Sequence, residues 1–185
     1  TAGIAFGVTV SGNHAYIADN ENGFVVVDIS NPSAPTLKGS YDTGFAMNVA
    51  VAGNYAYVAD VENGLVIVDI SDLAAPTFAG SYCGYVFGVT VSGNYAYYVA
   101  DHDFVILDIG NPVSPTFMDY YGTAGCGYNL AVAGGHAYIA DGDNGLVILH
   151  VEIVPDTTPP ESVTNLQETG IGSNWITWTW ENPYN

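Results

Sequence analysis

One short apolar segment occurs four times in this sequence. The copies are NGFVVVDIS at 22–30, NGLVIVDIS at 63–71, DFVILDIG at 103–110 and NGLVILHV at 144–151. Aligned on the apolar segment at the start of each unit, the repeats begin near Val8, Val49, Val89 and Leu130, a spacing of 40 or 41 residues. Four short strands fit into a unit of this length, which is the size of a propeller blade. The repeat predicts an all-β fold with four propeller-type blades of about 41 residues each.

Each unit has the pattern of four strands. The first strand is VTV, VAV, VTV or LAV, and it ends at a Gly-Asn or Gly-Gly pair suited to the positive φ angles of a tight hairpin. The second is of the type HAYIAD, the third is the apolar segment, and the fourth is of the type TLKGSY. Because the third strand is apolar at every position, both of its faces must be covered. Sheets stacked one upon another provide that cover.

The fourth unit lacks its last strand. After Val151 the sequence continues as EIVPDTTPP, with no counterpart of TLKGSY. A missing strand exposes about three apolar side chains, worth roughly 5–9 kcal/mol, and leaves an open sheet edge. We expect another segment of this chain, a second copy or additional sequence to cover it.

The composition changes near residue 155, so we divide the chain into a repeat domain at 1–154 and a Pro-rich linker with a further segment at 155–185. Within WITWTW at 175–180, Ile176, Trp178 and Trp180 alternate onto one face of a strand, and Trp175 begins it. Residues 163–167 are the expected partner in a C-terminal β-hairpin, with the turn near 170–172. A lone hairpin is marginal in water. We expect this assembly strand to complete a blade, preferably in a neighbouring copy.

Charge excludes one class of partner. The chain has 19 Asp and Glu residues against a single base, Lys38, and a net charge of −18. Binding to nucleic acid needs clustered cations and is therefore not expected. Attraction of divalent cations is compatible with this charge. No apolar run approaches the roughly 18 residues of a membrane span, so direct insertion into a membrane is not expected. The first residue is not Met, which indicates a mature or trimmed piece of something longer.

The segment GLVIVD at 64–69, preceded by YVAD at 57–60, resembles the LVIVD repeat family over roughly residues 4–151. That resemblance implies a propeller-forming protein that is secreted or held at the cell surface of bacteria or archaea, without established enzymatic activity. The segment from residue 156, with Pro159, Pro160, Val163, Leu166 and Trp180, is similar to the opening of a fibronectin type III module. Only about 30 residues remain, so such a module is incomplete in this chain.

The loops between the second and third strands are acidic in every unit. Two carboxylates lie close together in each loop, and hard oxygens of this kind suit Ca²⁺. Alternatively, the Asp and Asn side chains cap a tight turn through its own backbone. Calcium is the only cofactor that the sequence suggests. The candidate ligands are Asp19, Glu21, Asp60, Glu62, Asp101, Asp103, Asp141 and Asp143.

A second recurring carboxylate ends the third strand, as Asp28, Asp69 and Asp108, and His150 replaces it in the last unit. We expect these aspartates to be half-buried and to accept hydrogen bonds from backbone amides of the following turn. His14 and His136 are predicted hairpin residues, not ligands. No spacing typical of a catalytic triad, phosphate loop or CxxC motif is found, so an enzyme is not expected.

The connections from each fourth strand to the next first strand contain aromatic and acidic residues. They predict either packing around a narrow axis or a mouth that binds a sugar or peptide. The residues of this candidate mouth are Tyr41, Asp42, Tyr85, Phe87, Tyr121 and Tyr128. Cys83 and Cys126 occupy equivalent connections, and in an extracellular chain they are candidates for a disulfide within or between subunits.

Two functions follow from these patterns. The first is a non-enzymatic extracellular structural or adhesive protein that self-assembles as a homo-oligomer or polymer, or mediates contacts at the cell surface, as in a filament or sheath. The alternative is a propeller that recognises surface carbohydrate or protein, with or without Ca²⁺.

Overall fold

The computed structural model describes residues 3–152, 167–172 and 175–179. It divides the chain into two compact units, Thr1–Val151 and Glu152–Asn185. The first unit consists of four antiparallel sheets, one for each sequence repeat, so the predicted all-β fold of four blades is confirmed. The only helical segment among the described residues is a single turn of 3₁₀ helix at Gly142–Asn144.

Each blade is a meander in which strands pair in sequence order. The first blade contains β1 (Gly7–Ser11), β2 (His14–Ala18), β3 (Phe24–Asp28) and β4 (Thr36–Tyr41). The second contains β5 (Ala46–Ala52), β6 (Tyr55–Asp60), β7 (Gly64–Asp69) and β8 (Thr77–Tyr82). The third contains β9 (Val86–Ser92), β10 (Tyr95–Ala100), β11 (Asp103–Asp108) and β12 (Thr116–Gly122). The fourth contains β13 (Asn129–Ala133), β14 (His136–Ala140) and β15 (Leu146–His150).

The blades pack in chain order through their first strands. β5 contacts β1 on one side and β9 on the other, and β9 in turn contacts β13. We call the face of a blade that points to the preceding blade its leading face, and the opposite one its trailing face. Two apolar cores lie between consecutive blades. One contains Phe24 and Val26 with Val49 and Val58, while the other contains Leu65 and Ile67 with Val89 and Leu107.

The third strand of the second blade, β7, shows why that segment is apolar throughout. Val66 and Val68 face the core shared with the first blade, whereas Leu65 and Ile67 face the core shared with the third. Alternate residues of a strand point to opposite faces, so a strand between two other sheets must be apolar at every position. The prediction from the sequence pattern is confirmed.

The tight hairpins between first and second strands depend on glycine. Gly12, Gly53 and Gly93 have φ values of +58°, +56° and +59°, but the asparagine after each does not have a positive φ. A two-residue turn with positive φ at its first position alone is of type II′. In the fourth blade both Gly134 and Gly135 have positive φ, at +58° and +72°, as in a type I′ turn.

The fourth blade has three strands, β13-β14-β15, in the described part of the chain. The C-terminal hairpin is present as a separate sheet, in which β16 (Gln167–Gly172) pairs with β17 (Trp175–Thr179). The predicted turn near 170–172 is wrong, because Gly170, Ile171 and Gly172 belong to β16 and pair with Thr177, Ile176 and Trp175. The remainder of the proposed partner strand, 163–166, and Trp180 lie outside the described residues, as does the linker with Pro155, Pro159 and Pro160.

Within the described residues, no helix has the length and apolar character needed to cross a membrane.

Candidate functional site

The acidic loops bury their first carboxylate and expose their second. Asp19, Asp60 and Asp141 are buried, whereas Glu21, Glu62 and Asp143 are exposed. The Asp60 Oδ1 atom accepts hydrogen bonds from the backbone N–H of Glu62 at 2.9 Å and of Asn63 at 2.8 Å. This is the turn-capping alternative that the sequence offered.

The neighbouring blades repeat this arrangement with small changes. The Asn22 amide donates to Asp19 Oδ2 at 3.2 Å, and the Asn144 amide donates to Asp141 Oδ2 at 2.8 Å. The backbone N–H of Gly125 also donates to Asp141 Oδ2, at 2.9 Å. Desolvation raises the pKa of the Asp141 carboxyl, but these hydrogen bonds outweigh it, so the net pKa is lowered. The buried aspartate therefore holds the turn as a carboxylate.

The two carboxylates of a loop have opposite environments and do not form a group of converging ligands among the described residues. One oxygen each of Asp19, Asp60 and Asp141, and the buried hydroxyl of Thr43, have no hydrogen-bond partner in the described part of the chain. Binding of Ca²⁺ by these loops stays a prediction.

The aspartates that end the third strands are capping residues, as the sequence predicted. Asp28, Asp69 and Asp108 are half-buried. Their Oδ1 atoms accept hydrogen bonds from the backbone N–H of Ser30, Ser71 and Gly110 at 2.8, 2.8 and 2.7 Å. The backbone hydrogen bond from Ser71 lowers the pKa of the Asp69 carboxyl, because it stabilises the charged form.

The third blade departs from this pattern. Its second strand has one additional residue, Tyr98. As a result, Ala100 pairs with Val86 at the end of this strand, at the position where Asp60 pairs with Ala46 in the second blade. The aspartate is thereby moved to position 101, where it is exposed and has a φ of +51°. The following residue, His102, and Cys126 of the next connection meet this aspartate.

This cluster of Asp101, His102 and Cys126 was not predicted. Asp101 and Cys126 were candidates for other roles, and His102 was not a candidate at all. Asp103, the second acid of this loop, is exposed and lies outside the cluster. The insertion of Tyr98 and the loss of the Asn-Gly pair were the sequence signals of an altered loop.

Cys83 and Cys126 are not bonded to each other in this structure, and a disulfide between subunits stays a prediction. The Cys126 Sγ atom instead lies 3.6 Å from Asp101 Oδ1. Desolvation, followed by the hydrogen bond and the negative charge of Asp101, raises the pKa of the Cys126 thiol.

Two clefts in the described part of the chain contain different candidate mouth residues. Tyr41 and Asp42 line a cleft of about 410 Å³ that also includes Asn63 and Phe78. Tyr128 lines a different cleft of about 480 Å³, together with His102 and Cys126. Phe87 packs edge-on against Tyr128 at 6.1 Å between ring centres, whereas Tyr85 and Tyr121 are exposed.

The leading face of the first blade is uncovered in the described part of the chain. Val8 is 65% exposed, although the residues at the same position of the later blades, Val49 and Val89, are 5% and 4% exposed. Val10 is exposed as well, whereas its equivalents Val51, Val91 and Val132 are half-buried. These two valines are part of an apolar surface that the later blades bury or half-bury against their predecessors.

The trailing face of the fourth blade is likewise uncovered in the described part of the chain. Leu146 is 65% exposed, while its equivalents Leu65 and Phe104 are 0% and 2% exposed. Ile148 and Tyr138 are also exposed on this face, although Ile67 and Tyr57 are buried at the same positions. The four blades thus end in two apolar surfaces.

Four LVIVD repeats match residues 2–43, 44–83, 83–123 and 124–151. The chain belongs to the LVIVD repeat family. No match is found among curated proteins. The LVIVD domain is similar in fold to the computationally designed Ika4 protein (11% identity, TM-score 0.66, covering 82% of this chain and 94% of the other). It is also similar to BamB from Moraxella catarrhalis (16% identity, TM-score 0.58, covering 76% and 42%). The RRP9 WD40 repeats match with 11% identity, a TM-score of 0.66 and coverage of 82% and 49%.

The LVIVD chain spans less than half the length of the BamB and RRP9 chains that it matches. At these identities the likeness concerns the fold alone. It supports the assignment of the repeats to propeller-type blades.

Proposed function

We propose that this LVIVD-repeat chain is a non-enzymatic structural module that associates end to end with copies of itself. The observation that carries the proposal is the exposure of Val8 and Leu146, whose equivalents are buried in every other blade that has a neighbour on that side. Contiguous apolar surfaces of this kind are typical of protein–protein contacts.

We expect this contact to resemble the one between consecutive blades within the chain. The trailing face of the fourth blade carries Leu146 and Ile148 where the second blade carries Leu65 and Ile67. The leading face of the first blade carries Val8 where the third blade carries Val89. The first blade of a second copy therefore fits on the fourth blade of the first copy, as the third blade fits on the second. Such a contact is heterologous, and it produces rings or filaments.

The expected contact is modest in free energy. Three side chains that such a contact would bury, Val8, Leu146 and Ile148, contribute roughly 1.5–3 kcal/mol each, or about 5–9 kcal/mol per contact. Association itself costs about 4–15 kcal/mol. The gain and the cost are therefore of similar size, so we expect association to depend strongly on concentration.

The surroundings of the carboxylates support a structural role over a catalytic one. Asp60 and Asp69 are engaged by the backbone of their own turns. With one Lys and no Arg in 185 residues, the chain offers little to bind an anionic substrate. The family resemblance supports a location outside the cell, at the cell surface. An extracellular filament or sheath is the assembly that we propose, with the fibronectin-like segment from residue 156 as a further surface module.

The experiment is a measurement of mass in solution by light scattering across a concentration series. Val8→Lys removes the leading-face contact, and we expect the variant to remain monomeric where the parent chain associates. Leu37→Lys is the matched control. Leu37 is about as exposed as Val8, but its equivalents on the outer strands of the second and third blades, Phe78 and Phe117, are exposed as well. Loss of association in the control alone, or in both variants equally, contradicts the proposal.

A second function is favoured by the exposed tyrosines of the connections. Tyr85, Tyr121 and Tyr128 are all more than half exposed, and Tyr128 lies over the larger cleft. Exposed aromatic rings at a cleft are suited to stack on a sugar or peptide. Titration with a panel of glycans, with Tyr128→Ala compared with Tyr85→Ala, tests this alternative. Binding that both variants retain excludes these tyrosines as the site.

A further inference from the structure

We propose that Asp101, His102 and Cys126 form a binding site for a divalent transition ion of the zinc class. Their ligand atoms lie within 4.8 Å of one another. Asp101 Oδ1 is 3.6 Å from Cys126 Sγ and 3.7 Å from His102 Nε2. The cluster lies between the β10–β11 loop and the β12–β13 connection. It does not depend on the association of copies.

These distances fit a tetrahedral ion. Zinc binds oxygen and nitrogen at about 2.0–2.2 Å and thiolate sulfur at about 2.3 Å. Two ligands at tetrahedral angles are then about 3.3–3.7 Å apart. The separations of Asp101 Oδ1 from Cys126 Sγ and from His102 Nε2 fall within or beside that range. The third separation, between Cys126 and His102, is at most 4.8 Å, so a shift of about 1 Å or less brings the three side chains around an ion.

The donor atoms select the class of ion. A carboxylate, an imidazole and a thiolate form a set typical of zinc and its borderline neighbours. Calcium and magnesium take oxygen ligands, and a thiolate disfavours them. This site is therefore distinct from the calcium sites considered at the acidic loops, both in its residues and in the ion that it selects.

The histidine is oriented for ligation. His102 Nδ1 lies 3.0 Å from the carbonyl oxygen of Gly125. A carbonyl oxygen only accepts, so Nδ1 carries the hydrogen, and the lone pair of the neutral ring is on Nε2. Nε2 is the atom that faces Asp101. A backbone carbonyl in this position is the usual outer partner of a metal-binding histidine.

The backbone holds the two loops together before any ion binds. The N–H of Thr123 donates to the His102 carbonyl at 2.5 Å, and the N–H of Gly127 donates to the Asp101 carbonyl at 2.8 Å. Cys126 lies between these two anchors. Its position beside Asp101 is therefore fixed by main-chain contacts on both sides, which lowers the ordering cost of binding.

Only the third blade has this site among the described residues. Its inserted Tyr98 places Ala100 where the other blades have a buried aspartate and moves Asp101 to the surface. Three protein ligands leave one tetrahedral position open, as in sites where a water or a further ligand completes the shell. The adjoining cleft of about 480 Å³, lined by His102, Cys126, Tyr128 and Asp143, gives access to that position.

The test uses Co²⁺, whose absorption reports both thiolate ligation and tetrahedral geometry, on the full chain under reducing conditions. We expect one equivalent of Co²⁺ to give a thiolate charge-transfer band, and one equivalent of Zn²⁺ to abolish it by displacement. Cys126→Ser should remove the band. His102→Ala removes a direct ligand and should weaken binding by more than the roughly tenfold that loss of an outer-shell partner costs.

Matched controls separate this site from adventitious binding. Cys83→Ser removes the other thiol, and His136→Ala removes an imidazole near a hairpin turn. We expect both to bind as the parent chain does. The absence of a charge-transfer band in the parent chain overturns the proposal. So does an unchanged band in Cys126→Ser, or an equal loss in Cys83→Ser.

Discussion

Val8 and Val49 occupy the same position of consecutive repeats, yet Val8 is 65% exposed and Val49 is 5% exposed. The two side chains are identical, so the difference arises from the neighbour that each one has. Val49 packs against the first blade, and Val8 begins a blade without a predecessor in the described residues. The same relationship holds between Leu146 and Leu65 at the other end. The exposed apolar faces at the two ends are the basis of the proposed head-to-tail contact.

Association should strengthen with salt. Each copy has a net charge of −18, so copies repel one another, and added salt screens this repulsion. Raising NaCl from about 0.05 to about 0.5 M shortens the Debye length from roughly 14 to roughly 4 Å. We expect the midpoint concentration of association to fall several-fold, measured by light scattering. A midpoint that rises with salt would indicate a contact made by charges instead of apolar faces.

Asp60 and Glu62 belong to one acidic loop but should differ sharply in their effect on stability. Asp60→Ala leaves the N–H groups of Glu62 and Asn63 without their acceptor, and we expect it to lower the free energy of unfolding by about 1–3 kcal/mol. Glu62→Ala removes an exposed side chain and should change it by less than about 0.5 kcal/mol. Urea unfolding measures both. If both variants are destabilised equally in calcium-containing buffer, and EDTA abolishes this loss of stability, the result would support a cation site in place of a capped turn.

The contribution of Asp69 should disappear in acid. Its pKa in the folded protein lies below the ordinary value of 3.8, because the Ser71 N–H stabilises the carboxylate. A lowered folded pKa means that this stability is present above pH 3.8 and is lost as the pH falls through the folded value. We expect Asp69→Ala to be less stable than the parent chain at pH 7 and to approach it below pH 3.8. A difference in urea midpoint that grows on acidification would be incompatible with this sign.

The tail hairpin gives a prediction that separates two modes of assembly. The sequence suggested that Trp175, Ile176 and Trp178 complete a blade of a neighbouring copy, in which case removal of residues 156–185 yields monomers. The end-face contact needs only the LVIVD domain, since Val8 and Leu146 both lie in the compact unit Thr1–Val151. We therefore expect the shortened chain to associate still, as measured by light scattering, with circular dichroism as a control for folding. Monomers from a folded truncation would favour the tail.

The fold was predictable because the repeat is redundant. Four copies of one strand pattern, with apolar residues on both faces of the third strand, leave few alternatives to stacked sheets. The capping role of Asp28, Asp69 and Asp108 followed from the same redundancy, since a carboxylate after an apolar strand needs nearby donors. The type II′ geometry of the hairpins did not follow, because Gly-Asn pairs are compatible with more than one turn.

The cluster of Asp101, His102 and Cys126 depends on a departure from the repeat pattern in the third blade. The pattern of the other units does not predict which side chains meet at such a departure. One added residue in β10 changes which side chain is buried at the end of the strand. Cys126 is 25 residues from Asp101 in sequence, and contacts such as the backbone hydrogen bonds from Thr123 and Gly127 bring the two segments together. The sequence pattern did not predict the exposure of Val8 and Leu146 either, because these residues are as apolar as their buried equivalents in the other blades.

The most direct measurement of end-to-end association is a complementation experiment with two variants. Val8→Lys blocks the leading face and keeps Leu146, whereas Leu146→Lys blocks the trailing face and keeps Val8. If the contact is head-to-tail, each variant alone is a monomer by sedimentation, but an equimolar mixture forms a complex of twice the mass of one chain, which the double variant cannot form. A mixture that stays monomeric while the parent chain associates, or a parent chain that is monomeric at every concentration and salt, would contradict the account.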